Sequence, residues 1–412
     1  MAFLVGANTI IDNNVSILHT TFQTVSGTTQ STQVKIKASD GAAGDNFGTR
    51  VAIGSGRIVV GAYGDDDTAL EAGSAYIFDL NGNQLAKIKA SDGAQSDYFG
   101  IGDVAVGCGR IVVGAENDDR TGIGNDFGSA YIYNLNGTQL AKIEASDGAA
   151  TDRFGKSVAV GSGRIVVGAY FDDDNGADSG SAYIFDLNGT QLAKIKASDG
   201  AAQDYFGFSV AIGSGHIVVG AILDSDLGLG SGAAYIFDLN GTQLAKIKAS
   251  DGTAAVAFGN SVAVGCGRIV VGARGDDTSG TNAGAAYIFD LNGNQLAKIK
   301  PSDVAAGDEF GFYARIASGY IVAGSYGDDD NGSESGSAYI FDLNGNQLAK
   351  IKASDGAADD NFGICVDVGS GRIVVGAYGD DDNGSVSGSA YIYKLPETMD
   401  TYFEDILDTY RY

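Results

Sequence analysis

A Phe-Gly pair returns along this chain at residues 47, 99, 154, 206, 258, 310 and 362, a period of 52 residues broken once by a step of 55. Self-similarity at this spacing dictates a repeat architecture, because each unit buries its apolar surface by stacking on copies of itself. Each unit reads as four short strands. In the first, "FGTRVAIG" (47–54) ends at a Gly-Ser-Gly turn, and "RIVVGA" (57–62) is continuously apolar, as a strand buried on both faces should be. "SAYIFDL" (74–80) follows a long acidic loop, and its Asn-Gly pair signals a hairpin. "NQLAKIKA" (83–90) closes the unit, its lysines reading as protection of an outermost strand against edge-to-edge pairing.

Seven four-stranded antiparallel units predict an all-β fold, a seven-bladed β-propeller. The ends of the array predict that it closes into a ring. "QVKIKASDG" (33–41) is a fourth strand with no unit before it, and the last unit stops after its third strand at "SAYIYKL" (389–395). Residues 33–38 are therefore expected to complete blade seven. The chain divides into an N-terminal arm at 1–30, the propeller at 31–395 and a C-terminal tail at 396–412.

Composition narrows the partners. A net charge of −26 repels nucleic acid and anionic lipid alike. No apolar run reaches the roughly 18–20 residues of a membrane span, so direct membrane insertion is not expected. The start "MAFLVGANTIIDNN" does not read as a secretory signal. Cys108 and Cys266 occupy the same turn in distant units and Cys365 lies in a strand, so free thiols are expected.

In an up-and-down blade, turns 1–2 and 3–4 share one face of the disc, and connections 2–3 and 4–1 share the other. The first face carries only tight turns. The second carries 38 of the 52 acidic residues, 23 in the 2–3 loops and 15 in the 4–1 loops. With the strand-four lysines and strand-two arginines assigned to the rim and the short-turn face, the disc is expected to be strongly dipolar.

Phe-Gly at the head of the unit, "VVGA" in its middle and "GSAYIF" after the loop resemble FG-GAP repeats, the units of the integrin α-subunit propeller and its bacterial relatives. The resemblance covers about 365 residues and implies a seven-bladed propeller, often calcium-bound and often adhesive. The sequence departs from that pattern twice. The proline after "GA" is replaced by Tyr63, Glu116, Tyr170, Ile222, Arg274, Tyr326 and Tyr378, and the calcium loop between strands one and two is replaced by a short turn. Metal is thereby expected in the 2–3 loops. Loops such as "DDDNGADSG" (172–180) and "DDDNGSESG" (328–336) offer oxygen ligands at alternate positions, a glycine and a later carboxylate. The candidate ligands for Ca²⁺, which takes six to eight oxygens, are Asp65, Asp67, Asp172, Asp174, Asp178, Asp328, Asp330, Glu334, Asp380 and Asp382. The alternative is a solvated acidic rim.

Carboxylate pairs also serve glycoside hydrolysis, but here nearly every unit carries similar acids, so no unit is distinguished and no enzyme is expected. Of the two histidines, His216 merely replaces the arginine that begins strand two. Tyr63, Tyr170, Tyr326 and Tyr378, with Tyr98 and Tyr205 nearby, either stack on sugars or pack between blades, and packing is the commoner role. The arm resembles the "ANTIIDN" N-terminal segments of tail-fibre and other virion proteins of cyanobacterial and marine phages. The tail "ETMDTYFEDILDTYRY" has the pattern of a short amphipathic helix. Together these features lead to the expectation of a non-enzymatic virion protein in a homo-oligomer or larger assembly. Its partners would be other virion proteins, through the arm and tail, and a host surface glycan or protein. The rival expectation is a calcium-dependent adhesin on a bacterial cell surface.

Overall fold

A computed structural model describes residues 33–119 and 126–395. The expected arm (1–30) and tail (396–412) lie outside the described residues, as does Arg120 of the blade-two loop. The strands form seven four-stranded antiparallel sheets, each in simple sequential order except the last. Blade one comprises Phe47–Gly54, Arg57–Ala62, Ser74–Phe78 and Gln84–Ile88. Blade seven is completed from the other end of the chain. Val34–Ile36 pairs with Ser389–Lys394 in the register Val34↔Ile392, Lys35↔Tyr391 and Ile36↔Ala390. The expected ring closure is present.

First strands line the inside of the ring. Phe47–Gly54 packs against Val104–Gly107 of blade two on one side and Val366–Gly369 of blade seven on the other. Second strands are the buried layer that their sequence requires: Ile58, Val59 and Val60 are all fully buried. Alternate residues face alternate blades. Val59 and Ile77 therefore share a core with Ile111, Val113 and Tyr131 of the next blade. Each such aliphatic side chain stabilises the junction by about 1.5–3 kcal/mol.

The Phe-Gly pair is a junction device. Phe47 is fully buried, with its ring edge-on to Tyr76 (5.5 Å between centroids) and Phe78 (5.9 Å) of its own blade. Gly48 has φ +95°, and a Cβ there would stand 2.2 Å from the Ser389 carbonyl oxygen of blade seven. No side chain fits so close to the neighbouring backbone. The Phe47 N–H donates to the Ser387 carbonyl at 3.2 Å, so this pair also helps to seal the ring.

On the short-turn face Arg57 reaches across to the next blade, its Nε donating to the Leu135 carbonyl at 3.2 Å. The Leu395 N–H donates to the Gly371 carbonyl at 3.0 Å. The chain therefore enters at residue 33 and leaves at residue 395 beside the tight turns, on the side opposite the long loops. Cys108, Cys266 and Cys365 form no disulfide, as expected. Among the described residues no helix is long and apolar enough to cross a membrane.

Candidate functional site

The long-loop face is organised around lysines from the fourth strands. Lys87 Nζ lies 2.8 Å from Asp40, 2.6 Å from Asp65 and 2.6 Å from Asp67. Lys350 repeats this with Asp303, Asp328 and Asp330 at 2.9, 2.8 and 2.7 Å. Lys35, from the closing strand, does so with Asp355, Asp380 and Asp382 at 2.8, 2.6 and 2.7 Å. Lys194 holds Asp147, Asp172 and Asp174, and Lys246 holds Asp199, Asp224 and Asp226. In blades two and five Lys142 and Lys298 each reach two aspartates of this kind.

The three successive aspartates have three different jobs. Buried Asp65 accepts from Ser74 Oγ (3.0 Å), Tyr76 OH (2.9 Å), the Asp67 N–H (3.1 Å) and Lys87. Exposed Asp66 closes the loop by accepting the Glu71 N–H at 2.6 Å. Asp67 turns back to Lys87. Burial opposes the charge on Lys87, yet the hydrogen bonds it donates to Asp40, Asp65 and Asp67 outweigh that cost and hold the ammonium well above its ordinary pKa. Burial likewise pushes Asp40 up, but Lys87 and Tyr76 outweigh it and the carboxyl sits below its usual range.

This arrangement corrects two expectations. The strand-four lysines belong to the long-loop face, not to a basic rim, because strand four ends on that face and its first lysine points into the loop cluster. The disc is accordingly less polarised than the sequence suggests. The candidate ligands are also regrouped. Asp65 with Asp67, Asp172 with Asp174, Asp328 with Asp330 and Asp380 with Asp382 do converge. Asp178 and Glu334 stand apart: the Asp178 N–H donates to Asp173 (2.7 Å), and Glu334 Oε2 faces Asn361 Nδ2 at 3.4 Å. The third carboxylate comes instead from the Ser-Asp-Gly of the 4–1 loop. Oxygens of Asp40, Asp65 and Asp67, of Asp303, Asp328 and Asp330, and of Asp355, Asp380 and Asp382 lie within 4.8 Å of one another. Such all-oxygen sets suit a hard cation. A lysine ammonium already sits among them, so a metal ion enters only by displacing it.

Where the loops depart from the repeat, the surface changes character. Blade four carries "LDSDLGLG", with Leu227 40% and Leu229 83% exposed. In the following 4–1 loop, Val256 stands where the other units have Asp45, Asp97, Asp152, Asp204, Asp308 or Asp360. These changes border a depression of about 640 Å³ lined by Leu223, Leu229, Ala255, Arg274 and Glu309. Arg274 is 41% exposed, its Nη1 3.7 Å from Glu309 Oε2.

The inner strands break symmetry more strongly, contrary to the expectation that no unit is distinguished. After Phe-Gly the units read Thr49-Arg50, Ile101-Gly102-Asp103, Lys156-Ser157, Phe208-Ser209, Asn260-Ser261, Phe312-Tyr313 and Ile364-Cys365. These side chains converge inside the ring. Asp103 accepts from Ser157 Oγ at 2.7 Å and from Tyr313 OH, while Arg50 Nε lies 3.3 Å away. Glu116, counted with the acidic loops from sequence, is buried here beside Lys156 (3.1 Å). Burial pushes the Asp367 carboxyl up to about 6, and it accepts the Ile53 N–H at 2.7 Å. The irregular step of 55 residues and the unlike residues after each Phe-Gly are the signals by which sequence alone points here.

The loop tyrosines pack on other aromatic rings, Tyr63 and Tyr170 across a blade junction and Tyr326 within blade six. Tyr63 meets Tyr98 edge-on at 5.8 Å, Tyr170 meets Tyr205 at 5.6 Å, and Tyr326 meets Phe312 at 5.0 Å.

The FG-GAP repeat model matches residues 31–78, 83–133, 138–185, 190–237, 242–289, 294–341 and 346–393. Each match spans the fourth strand of one blade and three strands of the next, so every repeat ties two blades together, and the first ties blade seven to blade one. No curated protein matches the sequence. The chain belongs to the FG-GAP repeat family, and its seven-bladed propeller is the architecture of a binding or adhesion-type protein.

Proposed function

We propose that this propeller is a non-enzymatic recognition module of a phage particle that binds a host surface glycan or protein through its long-loop face. One observation carries the reading. On a face otherwise built of lysine-clamped aspartates, the blade-four loop exposes Leu227 and Leu229, and Val256 takes the place of an aspartate in the next 4–1 loop, beside a depression that holds Arg274 and Glu309. Exposed apolar side chains beside a concave, partly charged surface are the usual composition of a binding site. The arm at 1–30, which resembles virion segments, and the tail at 396–412 supply attachment to other virion proteins in a homo-oligomeric or larger assembly.

The test is binding of the full-length protein to host cells and to a glycan array, with L229D and R274E as variants. Both variants are expected to keep the fold and lose at least about 1.4 kcal/mol of binding, tenfold in Kd. Undiminished binding by both would move the contact elsewhere.

The three aspartate triads favour a second reading, a calcium-dependent adhesin at a bacterial surface. In that case Ca²⁺ takes the place of Lys35, Lys87 and Lys350 among the carboxylates. Binding that vanishes in chelator and returns with calcium separates it from the first reading.

A further inference from the structure

The structure assigns a second site: we propose that the cavity inside the ring binds a small oxyanion, a phosphate, sulfate or carboxylate group. The cavity measures about 90 Å³, room for several waters or one such group. Its wall is unlike the rest of the molecule. Arg50, Lys156, Arg274 and Arg315 line it, with Asp103 as the one carboxylate, in a chain whose net charge is −26.

Asp103 is largely engaged by Ser157, Tyr313 and Arg50. Lys156 has Glu116 at 3.1 Å, and Arg274 has Glu309 at 3.7 Å. The two remaining guanidiniums are under-used. Arg50 donates Nη1 to the Thr49 carbonyl at 2.9 Å. Its Nε is buried and, although 3.3 Å from Asp103, lies outside hydrogen-bond geometry. Arg315 donates Nη1 to the Ala314 carbonyl at 3.1 Å and has no carboxylate within 4.0 Å among the described residues. Both guanidinium carbons lie near one ring, 5.3 and 4.7 Å from the centre of Tyr313. Two like charges gathered on one aromatic ring repel each other, and an anion with oxygens to accept from both relieves that repulsion. Asp367 does not fill this role, since it is turned to the backbone N–H of Ile53.

None of these residues is demanded by the repeat. The position of Arg50 holds Ser157, Ser209, Ser261, Tyr313 or Cys365 in other blades, and that of Arg315 holds Ala52, Ala105, Ala159, Ala211, Ala263 or Asp367. A buried charge cluster adds little stability that apolar residues would not supply. The cluster is therefore a feature of this chain rather than of its architecture.

The experiment is a calorimetric and thermal-melt titration of the full-length protein with inorganic phosphate, sulfate, acetate and methyl phosphate, against chloride at constant ionic strength. Saturable binding of at least one oxyanion is expected, with a rise in melting temperature, and R315Q should weaken it about tenfold or more. R57Q, on the short-turn face, should leave it unchanged. Phosphate or sulfate without methyl phosphate or acetate identifies a free ion, and all four together identify the end of a larger ligand. If R315Q does not fold, R50K, which keeps the charge and loses the fork, is read in its place. No saturable binding, or equal binding by wild type and the arginine variant, overturns the assignment.

Discussion

Lys194→Met isolates what one lysine contributes to the long-loop face. Its ammonium serves Asp172, whose side chain is 4% exposed, and Asp147 and Asp174, which are 48% and 44% exposed. The two exposed pairs are each worth about 0–1 kcal/mol. The buried pair is different, because removing the lysine leaves Asp172 charged in the interior, a loss of about 3–5 kcal/mol. Asp172 keeps Ser181 Oγ (2.9 Å), Tyr183 OH (3.0 Å) and the Asp174 N–H (3.1 Å) as donors, which places the loss near the lower figure. Methionine retains the stem that lies over the Tyr183 ring, where the ammonium stands 5.2 Å from the ring centre. Adding Asp172→Asn removes the orphaned charge, so the double variant should return to within about 1 kcal/mol of wild type. With no Trp and 20 Tyr in the chain, urea unfolding is followed by tyrosine fluorescence and far-UV circular dichroism. Lys194 holds Asp174 below its usual pKa by hydrogen bond and charge, and together with Tyr183 it outweighs burial to do the same for Asp147. Depressed carboxyls contribute stability above their ordinary pKa and lose it below, so the K194M deficit should shrink as pH falls through about 4. A loss under about 0.5 kcal/mol, or a double variant no better than the single, would refute the account of the clamps.

Asp152→Asn should act in the opposite direction. Burial pushes this carboxyl up to about 6, so the folded state binds the extra proton and stability falls as pH rises from about 4 to 6. The variant, which can still accept the Ala149 N–H, should be more stable than wild type by about 1–2 kcal/mol at pH 7 after screening, and no more stable at pH 4, in paired melts. Deleting residues 31–40 removes the closing strand together with Lys35, and should give an open protein that aggregates on size exclusion; a monomer melting like the parent contradicts ring closure. Calcium titrated into the full-length chain should bind weakly, in the millimolar range, because it must displace lysine, and K87M should tighten it at the blade-one triad. Calorimetry showing unchanged affinity in K87M would place any calcium elsewhere.

The architecture was legible because its signals recur. Phe-Gly, "RIVVGA" and Asn-Gly each report a local requirement of backbone or burial, and seven copies make a chance match untenable. The orphan strand at 33–38 revealed closure for the same reason. The destination of the aspartates was not legible, since a lysine on strand four can point to a rim or into a loop, and only the register of Lys87 opposite Tyr76 decides it. Asp40 was hidden by its position in another loop, 25 residues before Asp65. Arg50, Asp103 and Tyr313 were overlooked for the opposite reason: attention to what repeats passes over the residues that differ, and here those residues meet inside the ring.

Ring closure also sets an order in time. Val34–Ile36 is among the first segments of the propeller to leave the ribosome, and its partner strand around Ile392 is made roughly 360 residues later. At about 5–20 residues per second that strand waits some 20–70 seconds without its pair. Throughout that interval the nascent protein is a growing strip of blades with both edges open. It becomes a ring only when synthesis of the last blade is complete, so a ribosome that stalls in blade seven leaves six finished blades and no closed disc.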